Sequence, residues 1–229
     1  MNIDGKMLCK NTAQPYRKDP HVGNHTDIDR TSQRIKTMKS LLIIGTGGHG
    51  KVVAEVAKDI GYEEVAFLDD NVPESIGKVS EIEKFKDEYS EAFVGIGNNK
   101  LRGELIQKLQ DYGFTVPVLI HTSAYISRTA KIDIGTVVEP KAIVNANSHI
   151  GAGCIISVGA IVDHDVEIGA CCHVNAGTIV KAGGKIESFR KLEAGEVVPG
   201  YGSALVRANS SSGFVKEYEE QTGKEVSFF

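Results

Sequence analysis

The sequence lacks several features that would assign it to common classes of protein. It has no Trp, four Cys in 229 residues, and no apolar run near the roughly 20 residues that span a bilayer. The cysteines form no CxxC pair, so neither a disulfide framework nor a zinc ribbon follows from them. The formal net charge is −4, which argues against a nucleic-acid partner. Since no signal peptide is evident either, we expect a cytoplasmic protein without a membrane partner.

Residues 1–37 differ from the rest of the chain. They carry seven Lys/Arg against four Asp, contain few aliphatic residues and show neither a helical nor a strand period. We interpret them as a disordered extension, a leader or an upstream start. The alternative is a basic interaction arm, although its charges are scattered rather than clustered.

Residues 38–121 alternate short apolar runs with helical patterns. The runs at 40–44, 65–68 and 92–96 are typical of buried strands, and 116–120 is a fourth candidate. Between them, two amphipathic helices are predicted to end at Gly61 and Gly113. Strands that alternate with helices predict an α/β domain with a parallel sheet.

From residue 122 the hydrophobic period changes to six. Aliphatic side chains occupy eleven consecutive slots: Ile126, Ile132, Val138, Val144, Ile150, Ile156, Val162, Ile168, Val174, Val180 and Ile186. Small residues lie two positions before each of these slots, with one exception. Such a repeat predicts a solenoid of three short strands per coil, a triangular prism in which residues 18 apart stack.

The ends of this prism need covering, because a bare terminal coil exposes apolar surface and unpaired backbone. We expect the α/β domain to cover one end and the tail 202–229 the other. After Ile186 the period persists, but the small-residue slots become Arg190 and Glu196. Buried charges are costly, so we expect a degenerate last coil or a departure from the prism before residue 201.

Three strand ends of the α/β domain carry glycine-rich or polar loops. Gly45–Gly50 fits G-x-G-x-x-G, Asp69 and Asp70 follow the second strand, and Gly95 to Asn99 follows the third. The carboxyl edge of such a sheet is the usual place for a nucleotide, with phosphate at the helix N-terminus. The alternative is a set of ordinary tight turns with a helix N-cap at Asn98 or Asn99.

The repeat contains three histidines, the residue type best suited to general base catalysis near neutral pH. His164 is flanked by Asp163 and Asp165, and a carboxylate beside an imidazole can fix its tautomer. His173 lies half a coil further on, so the two are not expected to meet within one chain. His149 has no adjacent acidic residue. The alternative for His164 is a surface histidine among carboxylates.

Together these motifs resemble a known family. The chain from about residue 39 to 181 is similar to the sugar O-/N-acyltransferases of left-handed β-helix (hexapeptide-repeat) fold. The nearest resemblance is to the UDP-4-amino-sugar N-acetyltransferases of bacillosamine biosynthesis, with sialic acid O-acetyltransferases more distant. The matching segments are Gly45–Gly50, Phe67–Asp70, Gly95–Asn99, Leu119–Ser123, Val162–Gly169 and His173.

The resemblance implies an N-terminal Rossmann-like domain (38–121) that binds a nucleotide sugar, followed by a left-handed parallel β-helix (122–201). It implies acetyl-CoA as cosubstrate, a UDP-linked amino sugar as acceptor, no metal, a homotrimer and a role in surface glycan biosynthesis. His164 would be the general base, with Asp165 increasing its basicity. Acetyl-CoA would contact His173, Ala182 and Gly183. The nucleotide sugar would contact Gly47, Gly48, His49, Asp69, Asp70 and Asn98.

One departure from the family concerns the donor. Relatives commonly continue with regular coils that build the acetyl-CoA groove, whereas this chain has residues 187–193 and a short tail there. We therefore expect the donor site to be built differently from theirs. Two alternative functions also stay open: O-acetylation of a sialic acid or related sugar, and a non-catalytic nucleotide-sugar-binding scaffold. A nicotinamide oxidoreductase is disfavoured, because a β-helix supplies no partner domain for hydride transfer.

Overall fold

A computed structural model describes residues 38–201; the expectations for residues 1–37 and for the tail 202–229 lie outside the described residues. The α/β part contains three strands, two α-helices and one 3₁₀ helix, and the three strands form a parallel sheet of order β2-β1-β3. Their bounds are β1 Ser40–Ile44, α1 Gly48–Asp59, β2 Glu64–Leu68, the 3₁₀ helix Val79–Phe85, β3 Ala92–Val94 and α2 Asn99–Asp111.

The helix ends follow from the local sequence. Helix α1 begins directly after a glycine-rich turn, and Gly61 beyond its end has a φ of 97°. The side chain of Asn98 caps α2 by accepting a hydrogen bond from the Leu101 N–H, and Gly113 beyond that helix has a φ of 78°. Glycine takes such left-handed conformations without a steric penalty, so both helices stop there.

The rest of the described chain is a three-sided parallel β-helix of two-residue strands, which confirms the predicted fold class. The first face comprises β4 Leu119–Ile120, β7 Val137–Val138, β10 Ile155–Ile156 and β13 His173–Val174. The second comprises β5 Tyr125–Ile126, β8 Ile143–Val144, β11 Ile161–Val162, β14 Ile179–Val180 and β16 Val197–Val198. The third comprises β6 Lys131–Ile132, β9 His149–Ile150, β12 Glu167–Ile168 and β15 Lys185–Ile186.

The aliphatic slots fill the interior of the prism, together with the small residues two positions earlier. Val144, Val162 and Val180 pair in register on adjacent coils, so residues 18 apart stack as predicted. The last coil is more regular than expected, since β16 pairs with β14. Arg190 stays exposed in the turn before it, and Glu196 is half-buried, so neither charge enters the core.

The α/β part lies against a side of the prism rather than over its end. The outward residues of the first face, Leu119, Val137 and Ile155, form one buried cluster with helix α1 and the sheet. The strand at Leu119–Ile120 pairs with Val137–Val138, so it is the first rung of the prism and not a fourth strand of the sheet. Packing on this face places the start of α1 beside His173, the next outward residue of the row.

The outward rows of the three faces differ in chemistry. The row on the first face is covered and is apolar up to His173, whereas the row on the third face is polar (Lys131, His149, Glu167 and Lys185). On the second face, Tyr125, Ile161, Ile179 and Val197 are each between 36% and 58% exposed. The second face is therefore an uncovered apolar stripe. Among residues 38–201, no helix is long and apolar enough to cross a membrane.

Candidate active site

The glycine-rich loop after β1 is shaped by contacts that only glycine permits. A Cβ on Gly50 would lie 2.0 Å from the Gly45 carbonyl oxygen, and one on Gly95 would lie 2.7 Å from the Gly50 Cα. The first and third strand ends therefore touch backbone to backbone. In contrast, Gly47 and Gly48 have open space where a Cβ would be. These two glycines leave the N-terminus of α1 accessible to a ligand.

The acidic pair after β2 holds the neighbouring loops in place. Asp69 accepts hydrogen bonds from the N–H groups of Thr46 (2.8 Å) and Asn71 (2.9 Å), one on each carboxylate oxygen. These backbone donors lower the pKa of Asp69 below its usual value. Asp70 accepts a hydrogen bond from the Val79 N–H at 3.0 Å. Both carboxylates are thus fixed at the edge of the sheet.

A cavity of about 510 Å³ opens at this edge. Its lining includes five of the six residues for which a nucleotide-sugar contact was expected: Gly47, Gly48, His49, Asp69 and Asp70. The sixth, Asn98, caps α2 and lines an adjacent depression with Lys100 and Lys191. The volume lies within the range that small-molecule sites occupy.

His49 closes one side of this cavity and contacts the β-helix. Its ring centroid lies 6.3 Å from that of His173, and its Nδ1 lies 3.8 Å from a carboxylate oxygen of Glu139. Burial, and then the charge of Arg102, lowers the pKa of each imidazole to about 4. Both rings are therefore neutral at physiological pH. Among the described residues, His49 Nε2 and His173 Nδ1 have no hydrogen-bond partner.

Glu139 and Ser157 complete this cluster, and neither was predicted from the sequence. Glu139 is buried and accepts a hydrogen bond from the Val158 N–H at 2.9 Å, and burial raises its pKa. Ser157 Oγ lies 3.2 Å from His173 Nε2. Both residues stand in turns of the repeat, where polar side chains are common, so nothing in the local pattern distinguished them.

Arg102 joins helix α2 to the β-helix, and it too was missed. Its side chain is 1% exposed, and its guanidinium donates to the carbonyl oxygens of Gly153 (2.7 Å), Ile96 (3.0 Å) and Cys171 (3.0 Å), among others. A signal was present, because Arg102 stands at helical spacing from the buried Leu105. A charged residue in an apolar helical stripe indicates a buried polar contact.

His164 lies elsewhere, in the exposed turn between β11 and β12. Its Nδ1 lies 2.7 Å from Asp165 Oδ2, and its backbone N–H donates to Asp163 Oδ1 at 2.8 Å. The Asp165 hydrogen bond, followed by the charge of Asp163, raises the pKa of His164 above its usual value. His164 sits at the vertex between the second and third faces, whereas His173 is on the first face. Within one chain the two histidines are on different sides of the prism.

The turn at Ala182 and Gly183 lies one coil above His164. The Gly183 N–H donates to the His164 carbonyl oxygen at 3.0 Å, so this group is already engaged in the coil. The Ala182 carbonyl accepts from the Tyr201 N–H at 2.8 Å, and the Tyr201 ring lies directly over Gly183. A contact between this turn and acetyl-CoA stays a prediction.

Comparisons with known proteins agree with this architecture. The PglD N-terminal domain family matches residues 40–109. The UDP-N-acetylbacillosamine N-acetyltransferase of Bacillus subtilis is 31% identical over 112 residues, which are 44% of this chain; the match spans only 51% of that enzyme.

Two solved structures extend the likeness over most of the described chain. The acetyltransferase domain of PglB from Neisseria gonorrhoeae, in complex with acetyl coenzyme A, is 36% identical with a TM-score of 0.66, covering 69% of this chain and 81% of that one. PerB from Caulobacter crescentus, in complex with CoA and GDP-perosamine, is 32% identical with a TM-score of 0.64, covering 70% and 89%.

Proposed function

Because the chain belongs to the left-handed β-helix sugar N-acyltransferases, we propose that it transfers acetyl from acetyl-CoA to the amino group of a UDP-linked amino sugar. The observation that carries the proposal is the His164–Asp165 pair on a prism whose α/β part holds a nucleotide-sized cavity. The product would serve surface glycan synthesis. Three free cysteines among residues 38–201 are consistent with a cytoplasmic setting.

In this reaction His164 is the general base. Its Nδ1 carries the proton shared with Asp165, which leaves Nε2 as the acceptor. Nε2 takes a proton from the sugar amine as the nitrogen attacks the thioester carbonyl. The C–N bond forms and the C–S bond breaks, and the proton on Nε2 passes to the departing sulfur, so that CoA leaves as the thiol and the imidazole is neutral again. General base catalysis of this kind contributes about 10²- to 10⁴-fold, and holding donor and acceptor together contributes more.

The nucleotide sugar would occupy the cavity at the sheet edge. Its diphosphate fits the open N-terminus of α1 at Gly47 and Gly48, and the acidic pair would meet the nucleoside. His49 lines this cavity and is neutral, so it meets the sugar without bringing a charge into the site. His173, whose ring neighbours that of His49, would then contact acetyl-CoA.

A complete site requires more than one chain. The cavity opens beside the first face, whereas His164 lies at the vertex between the second and third faces. The uncovered apolar stripe of the second face adjoins that vertex and suits a second copy of the chain. We therefore include a homotrimer in the proposal, in which His164 of one protomer serves the cavity of its neighbour.

The test is thiol release from acetyl-CoA with UDP-linked and GDP-linked 4-amino sugars as acceptors. We expect activity with the UDP sugar and a loss of about 10²- to 10⁴-fold in kcat for His164→Ala. His149→Ala is the matched control, because His149 also lies on the prism and pairs with a carboxylate, Asp133, at 3.0 Å. Full activity in His164→Ala would exclude His164 as the general base. An alkali-labile product would indicate an ester and favour O-acetylation.

A further inference from the structure

The vertex that carries His164 has the same left-handed backbone on three consecutive coils. Asn147, Asp165 and Gly183 are 18 residues apart and have φ values of 58°, 56° and 70°. Apart from glycine, Asn and Asp adopt this conformation most readily, since their short polar side chains bond locally. Because residues 18 apart stack, the Asn147 side chain lies directly beneath that of Asp165.

The contacts form a chain that ends on the imidazole. Asn147 Nδ2 donates to Asp165 Oδ1 at 3.2 Å, while the other carboxylate oxygen, Oδ2, lies 2.7 Å from His164 Nδ1. The backbone of Asn147 is held in turn, since its N–H donates to Thr129 Oγ1 at 2.9 Å. Each oxygen of the Asp165 carboxylate therefore has a separate partner.

We propose that Asn147 is a positioning residue, whose amide holds the Asp165 carboxylate in the orientation that fixes the His164 imidazole. The inference rests on the proposed function, because it takes His164 as the base. An exposed carboxylate rotates freely unless a second donor restrains it, and a misplaced carboxylate loses its bond to the ring. An amide is suited to this task because it does not titrate and holds the carboxylate across the working pH range.

The charged groups around His164 are few. Asp163 and Asp165 flank it in its own turn, and the turn above contributes Lys181. The turn below, residues 145–148, has no charged side chain; there Asn145 donates to Asp163 at 3.3 Å in the same way. The next turn down contributes Arg128. A carboxylate placed at position 147 would therefore be the first acidic group on that side of the ring.

The experiment compares Asn147→Gly and Asn147→Asp in the full chain. Glycine keeps the left-handed backbone and removes only the amide, whereas aspartate keeps the shape but replaces the Nδ2 donor to Asp165 with a negative charge. Lys141→Gly is the control for the first, because Lys141 has a φ of 60° in a turn of another vertex. Gln110→Glu on the exposed side of α2 is the control for the second. Two readouts are taken: the ratio of kcat at pH 9 to kcat at pH 6, and the NMR titration of His164 without substrate.

The two variants should move the pH profile in opposite directions. In Asn147→Asp the donor to Asp165 is lost too, but the added carboxylate brings a second negative charge to that side of the ring. This charge outweighs the lost donor at low salt and stabilises the protonated ring, so the pKa of His164 rises and the kcat ratio increases about two- to threefold. In Asn147→Gly the Asp165 carboxylate is released, so the pKa of His164 falls and the ratio decreases. The controls should leave both readouts unchanged, and the substrate amine contributes equally in every variant.

A merely structural role would lower kcat or stability but leave the ratio and the titration as in the parent. That outcome overturns the proposal. Failure of the proposed function is separable, because the NMR titration needs no turnover. If His164→Ala is fully active while the Asn147 variants still move the His164 titration, the positioning contact stands and the assignment of the base falls.

Discussion

Replacement of Arg102 by Met should destabilise the fold by about 3 kcal/mol, because the guanidinium satisfies buried backbone carbonyls of Gly153 and Cys171 and a part-buried one of Ile96. The carbonyls of Gly153, Ile96 and Cys171 would lose a buried donor, whereas that of Cys172 keeps the Ile155 N–H at 2.9 Å. Each unsatisfied carbonyl costs roughly 1–3 kcal/mol, and release of the buried charge offsets part of the total.

The assay is urea unfolding, with thermal unfolding as a second probe. For a domain of this size a loss of about 3 kcal/mol lowers the Tm by roughly 10 °C. The unfolding free energy of Arg102→Lys should lie between those of the parent and Arg102→Met, since lysine keeps the charge but cannot reach several carbonyls at once. Arg128→Met is the control, because Arg128 lies in an exposed turn, and it should leave the unfolding free energy unchanged. If Arg102→Met stays within about 0.5 kcal/mol of the parent, the carbonyls find other partners and the reasoning fails.

Three further predictions follow from burial, charge and exposure. Gly50→Ala should cost about 1–3 kcal/mol in urea unfolding, since its Cβ would meet the Gly45 carbonyl, whereas Gly48→Ala should fold normally. The folded pKa of His49 is about 4 and its unfolded value 6.5, so stability is lost as the pH falls between these values. His49→Gln should remove about 2 kcal/mol of the difference in unfolding free energy between pH 7 and pH 5; an unchanged difference would contradict this. Ile179→Asp should yield a folded monomer by light scattering, whereas an intact trimer would place the interface elsewhere.

The β-helix was predictable because its rule is local. Each six-residue unit needs one aliphatic and one small inward side chain, and the pairing of Val162 with Val144 and Val180 follows from that rule alone. The sheet edge was predictable for a similar reason. Parallel strands bring their carboxyl ends together, so the glycine loop and the acidic pair had to share one cavity.

The contacts between the two parts of the chain were not predictable. Leu119, Val137 and Ile155 look the same in the repeat as Ile161 and Ile179, yet the first set is buried by α1 and the second is exposed. The sequence period reports only that a residue points outward. It carries no information on which distant segment covers that face.

The six-residue period and the strand–helix alternation thus determined, from the sequence alone, the two kinds of architecture and the residues at each strand end. Only the tertiary structure decided that His49 faces His173, that Glu139 and Arg102 are buried beside them, and that His164 stands apart from the cavity of its own chain. The physical reason is that inward packing obeys a local repeat, whereas burial of an outward side chain depends on a surface contributed from far along the chain.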